Sequence, residues 1–261
     1  MSGLLRLVEP PVASRSLGVG PATLRGLAWL ARVGPSPMGA WGCAMGWVER
    51  VARRHAQRLE AQGWLERRWT TVGEGPLLVV TRAGVQMTGL ELRPAQTPAP
   101  TWWAHWRACA WTAAWLECRG REWLGQREVL ELEQWSGQVR WSDGRGRQVA
   151  RHRPDLVARG STPVEVELAR KSDSRTGGLM TMYGGWVAAG RIPGVIYVVG
   201  SERTRERIVK IAGDHGLHVR IELLEAIVEQ ALEVRRAPAQ AARCGAAGQI
   251  SSPRSPDPVP S

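Results

Sequence analysis

Three carboxylates lie close together in the sequence and could hold a metal ion that acts on a phosphodiester. The pattern predicts two strands, residues 148–158 and 163–169, joined by a turn. Because side chains alternate along a strand, Glu165 and Glu167 share a face of the second strand, and Asp155 on its neighbour adds a third acid. Like charges this close raise one another's pKa unless a cation compensates. The cluster therefore suits a hard divalent cation, which polarises a phosphodiester and activates water.

This arrangement resembles the PD-(D/E)xK nuclease signature, carried here by Pro154-Asp155 and by the Glu-Val-Glu strand that begins at Glu165. The resemblance implies a restriction-endonuclease-like α/β domain in which Asp155 and Glu165 bind Mg²⁺. Where the signature has the lysine that stabilises the attacking hydroxide, this chain has Glu167. Lys171 lies four residues further on and reaches the same face only if the strand continues that far. We therefore expect a degenerate or weakly active site, whose candidate catalytic residues are Asp155, Glu165, Glu167 and Lys171.

Two questions about this acidic segment stay open at the level of sequence. The carboxylates can instead belong to a structural network in which Arg151, Arg153 or Arg170 pairs with them. In nucleases of this fold a helix-borne acid often joins the metal site, and Glu117 is the candidate here. The sequence places Glu117 neither inside nor outside the acidic pocket.

Alternating helices and strands surround these acids. Apolar residues at helical spacing predict an amphipathic core helix over residues 102–119. The further elements are strands 127–132 and 138–141, a tight turn at 142–146, helix 172–189, strand 194–199, helix 202–215, strand 217–222 and helix 223–235. This alternation predicts a mixed sheet with helices on its faces.

A second group of candidate residues lies on a basic helix nearer the start of the chain. Helices are predicted over residues 22–33 and 47–62, separated by a turn-rich piece, and a β-hairpin follows with strands 64–72 and 77–81. The polar face of the second helix carries Arg50, Arg53, Arg54 and Gln57. This order predicts a winged helix-turn-helix, whose recognition helix enters the major groove of double-stranded DNA. The hairpin residues expected to contact phosphates are Arg67 and Arg68.

The basic helix also has two plainer interpretations. Its charged face can be merely solvated, as most charged helix faces are, and a winged helix can also bind protein. His55 lies on the apolar face of this helix and is expected to belong to the core rather than to a ligand site.

The two parts together resemble the replication-relaxation family of plasmids and integrative mobile elements. The resemblance covers residues 22–200 and is carried by the winged helix, the linker, the motifs R-P-D and E-V-E-L-A-R-K-S, and a helix that ends near Tyr183. It implies a DNA-binding accessory protein of replication or mobilisation, with plasmid replication or relaxosome proteins as partners. The family's motif residues map to Asp155, Glu165, Glu167 and Tyr183, and its own pattern has an acid at the position of Glu167.

Tyr183 is expected to pack or to form a hydrogen bond rather than to attack DNA. A nucleophilic tyrosine of a relaxase works beside a metal-binding histidine cluster, and the five histidines of this chain are scattered. Two functions remain as alternatives to the accessory protein: a Mg²⁺-dependent DNA endonuclease and a winged-helix transcriptional regulator.

The composition agrees with a basic, globular, DNA-binding chain. The formal net charge is +11, so polyanions are its natural partners. The four cysteines form no CxxC pair, which indicates neither a zinc motif nor a disulfide framework. No apolar run approaches the roughly 18 residues of a membrane span, and no signal pattern is present, so we expect a cytoplasmic protein without a membrane partner.

Pro-rich and low-complexity stretches divide the chain. Three prolines interrupt residues 93–101, and the last residues are rich in Ala, Pro and Ser. We expect a flexible leader at 1–20, a winged-helix DNA-binding domain at 21–92, a linker at 93–101, a nuclease-like domain at 102–235 and a disordered tail at 236–261.

Overall fold

The fold was obtained as a computed structural model that describes residues 19–69, 75–93, 99–158, 160–169 and 171–247, with side chains described to residue 236. Outside these residues lie most of the predicted leader, the hairpin tip, most of the predicted linker, Arg170 and the end of the predicted tail. The described part is a mixed α/β structure whose largest sheet contains both parallel and antiparallel strands. The predicted α/β class is therefore confirmed.

The first part of the chain forms four helices and a small antiparallel sheet. Its elements are α1 (Pro21–Val33), β1 (Ser36–Pro37), α2 (Met38–Met45), α3 (Glu49–Ala61), β2 (Leu65–Arg68), β3 (Leu77–Val80) and α4 (Arg82–Thr88). The sheet has the order β1-β3-β2. Helices α1 and α3 and the β2–β3 hairpin agree with the predicted elements. Helix α2 occupies the piece that was expected to be rich in turns, and α4 was not predicted.

The second part forms a five-stranded sheet, a separate hairpin and five helices. Its elements are α5 (Trp103–Cys118), β4 (Trp123–Leu124), α6 (Gln126–Glu131), β5 (Gly137–Asp143), β6 (Gly146–His152), β7 (Leu156–Ala158), β8 (Thr162–Glu167), α7 (Asp173–Ala188), β9 (Val195–Val199), α8 (Glu202–Asp214), β10 (Val219–Leu223) and α9 (Leu224–Ala247). The sheet order is β10-β9-β8-β7-β4. Strands β8, β9 and β10 are parallel, and β7 is antiparallel to both of its neighbours.

Three sequence predictions in this part are wrong. The strand expected at 127–132 is helix α6, because the carboxylate of Glu128 accepts the backbone N–H of Gly125 and caps the first turn. The strand expected at 148–158 is two strands that pair with different partners, because the chain leaves the β5–β6 hairpin before Asp155. Helix α9 continues to Ala247, past its expected end at Arg235 and into the predicted tail, where frequent alanine favours helix.

The hydrophobic core has one cluster on each face of the five-stranded sheet. Val164, Val166 and Ile196 face helices α1, α2, α5 and α9. Tyr197 and Val199 face helices α7 and α8. The first cluster contains residues from both sides of the predicted linker, so α1 and α2 pack directly against α5.

Helix α5 lies at the centre of the first cluster. It was expected to be amphipathic, but residues 107–110 and 112–116 are all buried. A helix enclosed on most sides needs no polar face, because α2, α9 and the sheet surround it. The middle of this helix therefore holds the sheet and the first part of the chain together.

Candidate functional site

The structure brings the three predicted acids together beside the end of β8. Glu165 and Glu167 are on the same face of the strand, with relative exposures of 1% and 3%. Asp155 precedes β7, and its Oδ2 accepts the backbone N–H of Val166 at 2.8 Å. That hydrogen bond fixes the third acid next to the other two, from a position just before β7 rather than on the neighbouring strand where the sequence analysis placed it.

Glu165 is bound by two side chains: Tyr183, which the family resemblance grouped with it, and His152, which the sequence analysis did not name. The Nε2 of His152 lies 2.7 Å from Oε1 of Glu165, and the Tyr183 hydroxyl donates a hydrogen bond to the same oxygen. Burial by itself raises the pKa of Glu165, but the charge and hydrogen bond of His152, with Lys171 and Tyr183, outweigh it and lower this pKa. Glu165 is therefore held as an ionised carboxylate inside the protein.

Tyr183 is a buried hydrogen-bond donor, as expected. Its side chain is fully buried, and burial together with the nearby charge of Glu165 raises the pKa of Tyr183 well above its ordinary value. A phenol with a raised pKa stays neutral and donates its O–H in a hydrogen bond. The geometry therefore supports a positioning role for Tyr183 on Glu165.

Lys171 does reach the acidic cluster, although strand β8 ends at Glu167. Its Nζ lies 2.5 Å from Oε2 of Glu167. Burial alone lowers the pKa of Lys171, but the charges of Glu165 and Glu167 outweigh it and raise this pKa. Lys171 is thus a charged amine at the site, although it lies beyond the end of β8 and before the start of α7.

The arginines proposed as partners for the acids bind elsewhere. Arg151 and Arg153 both pair with Glu133, on the outer side of the β5–β6 hairpin. The structural network that the sequence left open is therefore wrong for these two residues, and Arg170 lies outside the described residues. The acids instead take His105, His152 and Lys171 as cationic partners.

Helix α5 brings His105 and Cys109 to Asp155, and Glu117 of the same helix lies elsewhere. The Nε2 of His105 is 3.0 Å from Oδ1 of Asp155 and 3.5 Å from the Sγ of Cys109. Glu117 accepts a hydrogen bond from the indole of Trp123 at 2.7 Å. The sequence analysis named neither His105 nor Cys109, although their i, i+4 spacing on one helix face was a usable signal.

The side chains that surround Asp155 and Glu165 form a poor binding site for Mg²⁺. This ion prefers six oxygen ligands in octahedral geometry. Here Oδ1 of Asp155 faces His105, and Oε1 of Glu165 faces His152 and Tyr183. A thiol completes the group of possible ligand atoms around Asp155. The site is thus richer in nitrogen and sulfur than its sequence signature implies.

The candidate DNA-binding residues of α3 lie outward. Arg50, Arg53, Arg54 and Gln57 are all exposed, and the opposite face of the helix is buried through Ala52, Ala56 and Leu59. Arg53 pairs with Glu49 one turn earlier, and both side chains remain largely exposed. An exposed pair of this kind contributes little and is easily exchanged for another anion.

The hairpin arginines are less free than expected. Arg67 pairs with Glu60 at 2.8 Å, and both side chains are about half-buried. Arg68 is exposed and pairs with Glu66 on the same strand. A phosphate would have to displace Glu60 before it could bind Arg67, whereas Arg68 is more accessible.

His55 fastens α3 to the first helix, in agreement with a core role. Its Nδ1 lies 2.7 Å from the Thr23 hydroxyl, and its ring stacks on Trp47 with centroids 4.0 Å apart. Burial, with the charges of Arg58 and Arg54, lowers the pKa of His55 and favours the neutral ring. These contacts hold the basic helix rigidly against the core.

Comparison with known proteins finds no family model that matches this chain and no matching curated protein. Within the described residues, every helix is too short or too polar to cross a membrane.

Proposed function

We propose that this protein binds double-stranded DNA through α3 and the β2–β3 hairpin, as an accessory protein of plasmid or mobile-element replication or mobilisation. The observation that carries the proposal is the outward row formed by Arg50, Arg53, Arg54 and Gln57. Guanidinium and amide groups are the side chains that bind guanine and adenine edges in the major groove. A helix that is packed on its other face can present them without a further cost for ordering its backbone.

The elements around α3 support this binding mode. Three helices followed by an antiparallel hairpin is the order of a winged helix, in which the third helix enters the major groove. The sheet β1-β3-β2 lies beside these helices, as that fold requires. The net charge of +11 adds a general attraction to the phosphate backbone.

The acidic site supports a nuclease-like domain with little or no activity. The order α5, β4, β7, β8, α7 and β9, with the acids at β7 and β8, is in keeping with the PD-(D/E)xK resemblance. Each of the three acids already has a protein partner that supplies a proton or a positive charge. A catalytic cation would have to displace those partners, which opposes its binding.

The test is an electrophoretic mobility shift with plasmid-derived duplex fragments. The double variant Arg53→Ala/Arg54→Ala should bind at least about 30-fold more weakly, because each arginine that binds a base edge contributes about 1–3 kcal/mol. Its salt dependence should also become less steep, by up to about 0.9 in the logarithmic slope for each phosphate that the variant no longer neutralises. Arg203→Ala, an exposed arginine of α8, is the matched control. Equal affinity of the double variant and this control would contradict the proposal.

A second candidate is a Mg²⁺-dependent endonuclease, which the position of Lys171 favours. The charged amine stands among the acids although the signature lysine is replaced by Glu167. In this candidate Asp155 and Glu165 would hold the ion. Nicking of supercoiled plasmid with Mg²⁺ or Mn²⁺ that disappears in Asp155→Ala would establish it, and no nicking with either ion would exclude it.

The third alternative is a transcriptional regulator. It would differ in specificity, because a dimeric regulator prefers a short palindrome whose half-sites are one helical turn apart. Competition between palindromic sites and random duplex in the same mobility-shift assay distinguishes a regulator from the accessory protein. Equal affinity for all duplexes would favour the accessory protein.

A further inference from the structure

We propose that His105, Cys109 and Asp155 form a binding site for a divalent transition-metal ion of the zinc class, with three protein ligands and one open position. The site shares Asp155 with the Mg²⁺ position that the nuclease resemblance implies, but its other ligands are His105 and Cys109 in place of Glu165. It also does not depend on DNA binding by α3.

The distances between the ligand atoms suit a tetrahedral ion. Zinc lies about 2.3 Å from sulfur and about 2.0–2.1 Å from nitrogen or oxygen, so tetrahedral ligands are separated by roughly 3.6 Å for N and S and roughly 3.3 Å for N and O. The observed separations are 3.5 Å from His105 Nε2 to Cys109 Sγ and 3.0 Å from His105 Nε2 to Asp155 Oδ1. All three ligand atoms lie within 4.8 Å of one another. The two separations that involve His105 are thus within a few tenths of an ångström of tetrahedral values, and the third, from Cys109 Sγ to the Asp155 carboxylate, is at most 4.8 Å.

The backbone already holds these side chains in a convergent arrangement. His105 and Cys109 are four residues apart on α5, so both project from one face of a helix that the core surrounds. The Oδ2 of Asp155 is occupied by the N–H of Val166, which leaves Oδ1 directed at His105. Such outer hydrogen bonds orient the ligands of known metal sites.

Without a metal, one strong hydrogen bond joins two of the three ligand atoms, and the third makes only a weak contact with them. The Nε2 of His105 carries at most one proton, so it makes one good hydrogen bond, to Asp155. Its contact with the Cys109 thiol, at 3.5 Å, is then a weak interaction, and that thiol is buried. A metal ion would accept an electron pair from each of the three atoms at once.

The ligand types and the local charge select the kind of ion. Thiolate and imidazole ligands favour Zn²⁺ and related ions over Mg²⁺ and Ca²⁺, which prefer oxygen. Asp155 lies beside Glu165 and Glu167, and Lys171 contacts Glu167, where the nearby carboxylates raise its pKa against the effect of burial. A divalent ion bound to the neutral ring of His105 would replace the positive charge that the protonated ring supplies to Asp155. His105 and Asp155 are each partly exposed, with 18% and 14% of their side chains accessible, which provides an entry path.

The experiment is a Co²⁺ titration of the full chain after treatment with a chelator, followed by optical absorption. One equivalent should give a thiolate-to-cobalt charge-transfer band in the near ultraviolet and the intense visible bands of a tetrahedral ion. Zn²⁺ should abolish both bands and Mg²⁺ should not. The absence of a thiolate band, or equal competition by Mg²⁺, would overturn the proposal.

Matched variants assign the ligands. Cys109→Ser and the partly exposed His105→Gln should each weaken Co²⁺ binding by at least about 100-fold, because loss of an outer hydrogen-bond partner alone costs about 10–100-fold. Cys118→Ser is the control, since that thiol contacts the Cys43 carbonyl oxygen and not the site. Unchanged binding by Cys109→Ser and His105→Gln, with weaker binding by Cys118→Ser, would refute the assignment. Circular dichroism and urea unfolding with chelator present verify that each variant is folded. A mobility-shift assay of Cys109→Ser with duplex DNA then tests DNA binding independently of the metal site.

Discussion

Removing the Tyr183 hydroxyl should destabilise the protein more than removing the hydroxyl of its other tyrosine. The Tyr183 hydroxyl donates to the carboxylate of Glu165, which is almost completely buried. A hydrogen bond to a charged group contributes about 1.5–3 kcal/mol. Glu165 keeps His152 at 2.7 Å, so the loss should stay below the roughly 3–5 kcal/mol of a fully broken buried ion pair. We therefore expect Tyr183→Phe to lower the free energy of unfolding by about 1.5–3 kcal/mol.

Tyr197→Phe is a matched control for this substitution. Tyr197 is equally buried, but its hydroxyl contacts the Met180 sulfur at 3.8 Å, and sulfur is a weak acceptor. Removing that weak hydrogen bond should cost less than about 0.5 kcal/mol. Urea unfolding followed by tryptophan fluorescence at neutral pH, with chelator present, measures both variants. A difference of less than about 0.5 kcal/mol between them would refute the reasoning that the phenol stabilises a buried carboxylate.

The loss of stability at acidic pH provides a second test of the Tyr183→Phe variant. Burial raises the pKa of Glu165, but His152 and Tyr183 are among the groups that outweigh it and lower this pKa. The stability from Glu165 is therefore present above its ordinary pKa of about 4.3 and is lost as the pH falls through the lower folded value. Tyr183→Phe should raise the folded pKa, so acid unfolding should begin at a higher pH than in the wild-type protein.

Two other predictions concern the same fold. Burial alone lowers the pKa of His152, but the charge and hydrogen bond of Glu165 outweigh burial and raise this pKa. The stability that protonated His152 contributes is therefore complete below about pH 6.5 and is lost as the pH rises through the pKa of His152 in the folded protein. The urea concentration at the unfolding midpoint, measured with chelator present, should therefore fall as the pH rises through the folded pKa of His152. His152→Gln should make this fall smaller, and an equal fall in the variant would contradict the prediction. On α7, a Cβ at Gly178 would overlap the Arg140 carbonyl oxygen, whereas Gly185 faces open space. Gly178→Ala should cost about 1–3 kcal/mol and Gly185→Ala should gain about 0.5–1 kcal/mol in urea unfolding, and the opposite order would show that α7 and β5 are not closely packed.

Much of the secondary structure could be predicted because it depends on local patterns. The apolar spacing and capping residues of α1, α3, α7 and α8 are readable along the chain. The failures have physical causes as well. Helix α6 is too short to show a helical period, and its start depends on the hydrogen bond from Gly125 to Glu128. The burial of α5 depends on α2 and α9, which pack around it from distant parts of the sequence.

Part of the candidate site could likewise be predicted from the sequence, and part of it could not. The pairing of Glu165 with Glu167 on one face follows from strand alternation and needs no tertiary information. The positions of His152, Lys171 and Cys109 beside the acids could not be derived, because each comes from a different element. Lys171 contacts Glu167 from outside any helix or strand, where no fixed period relates sequence spacing to direction.

The sequence by itself determined the acidic face of β8, the basic face of α3 and the alternating α/β order, because local periodicity decides which side chains share a surface. The tertiary structure decided which cations meet those acids. His105 and Asp155 are distant in sequence, and they come together because α5 packs against the sheet beside β7 and β8. Contacts between such distant residues depend on how whole elements pack, and the chemical character of the site depends on those contacts.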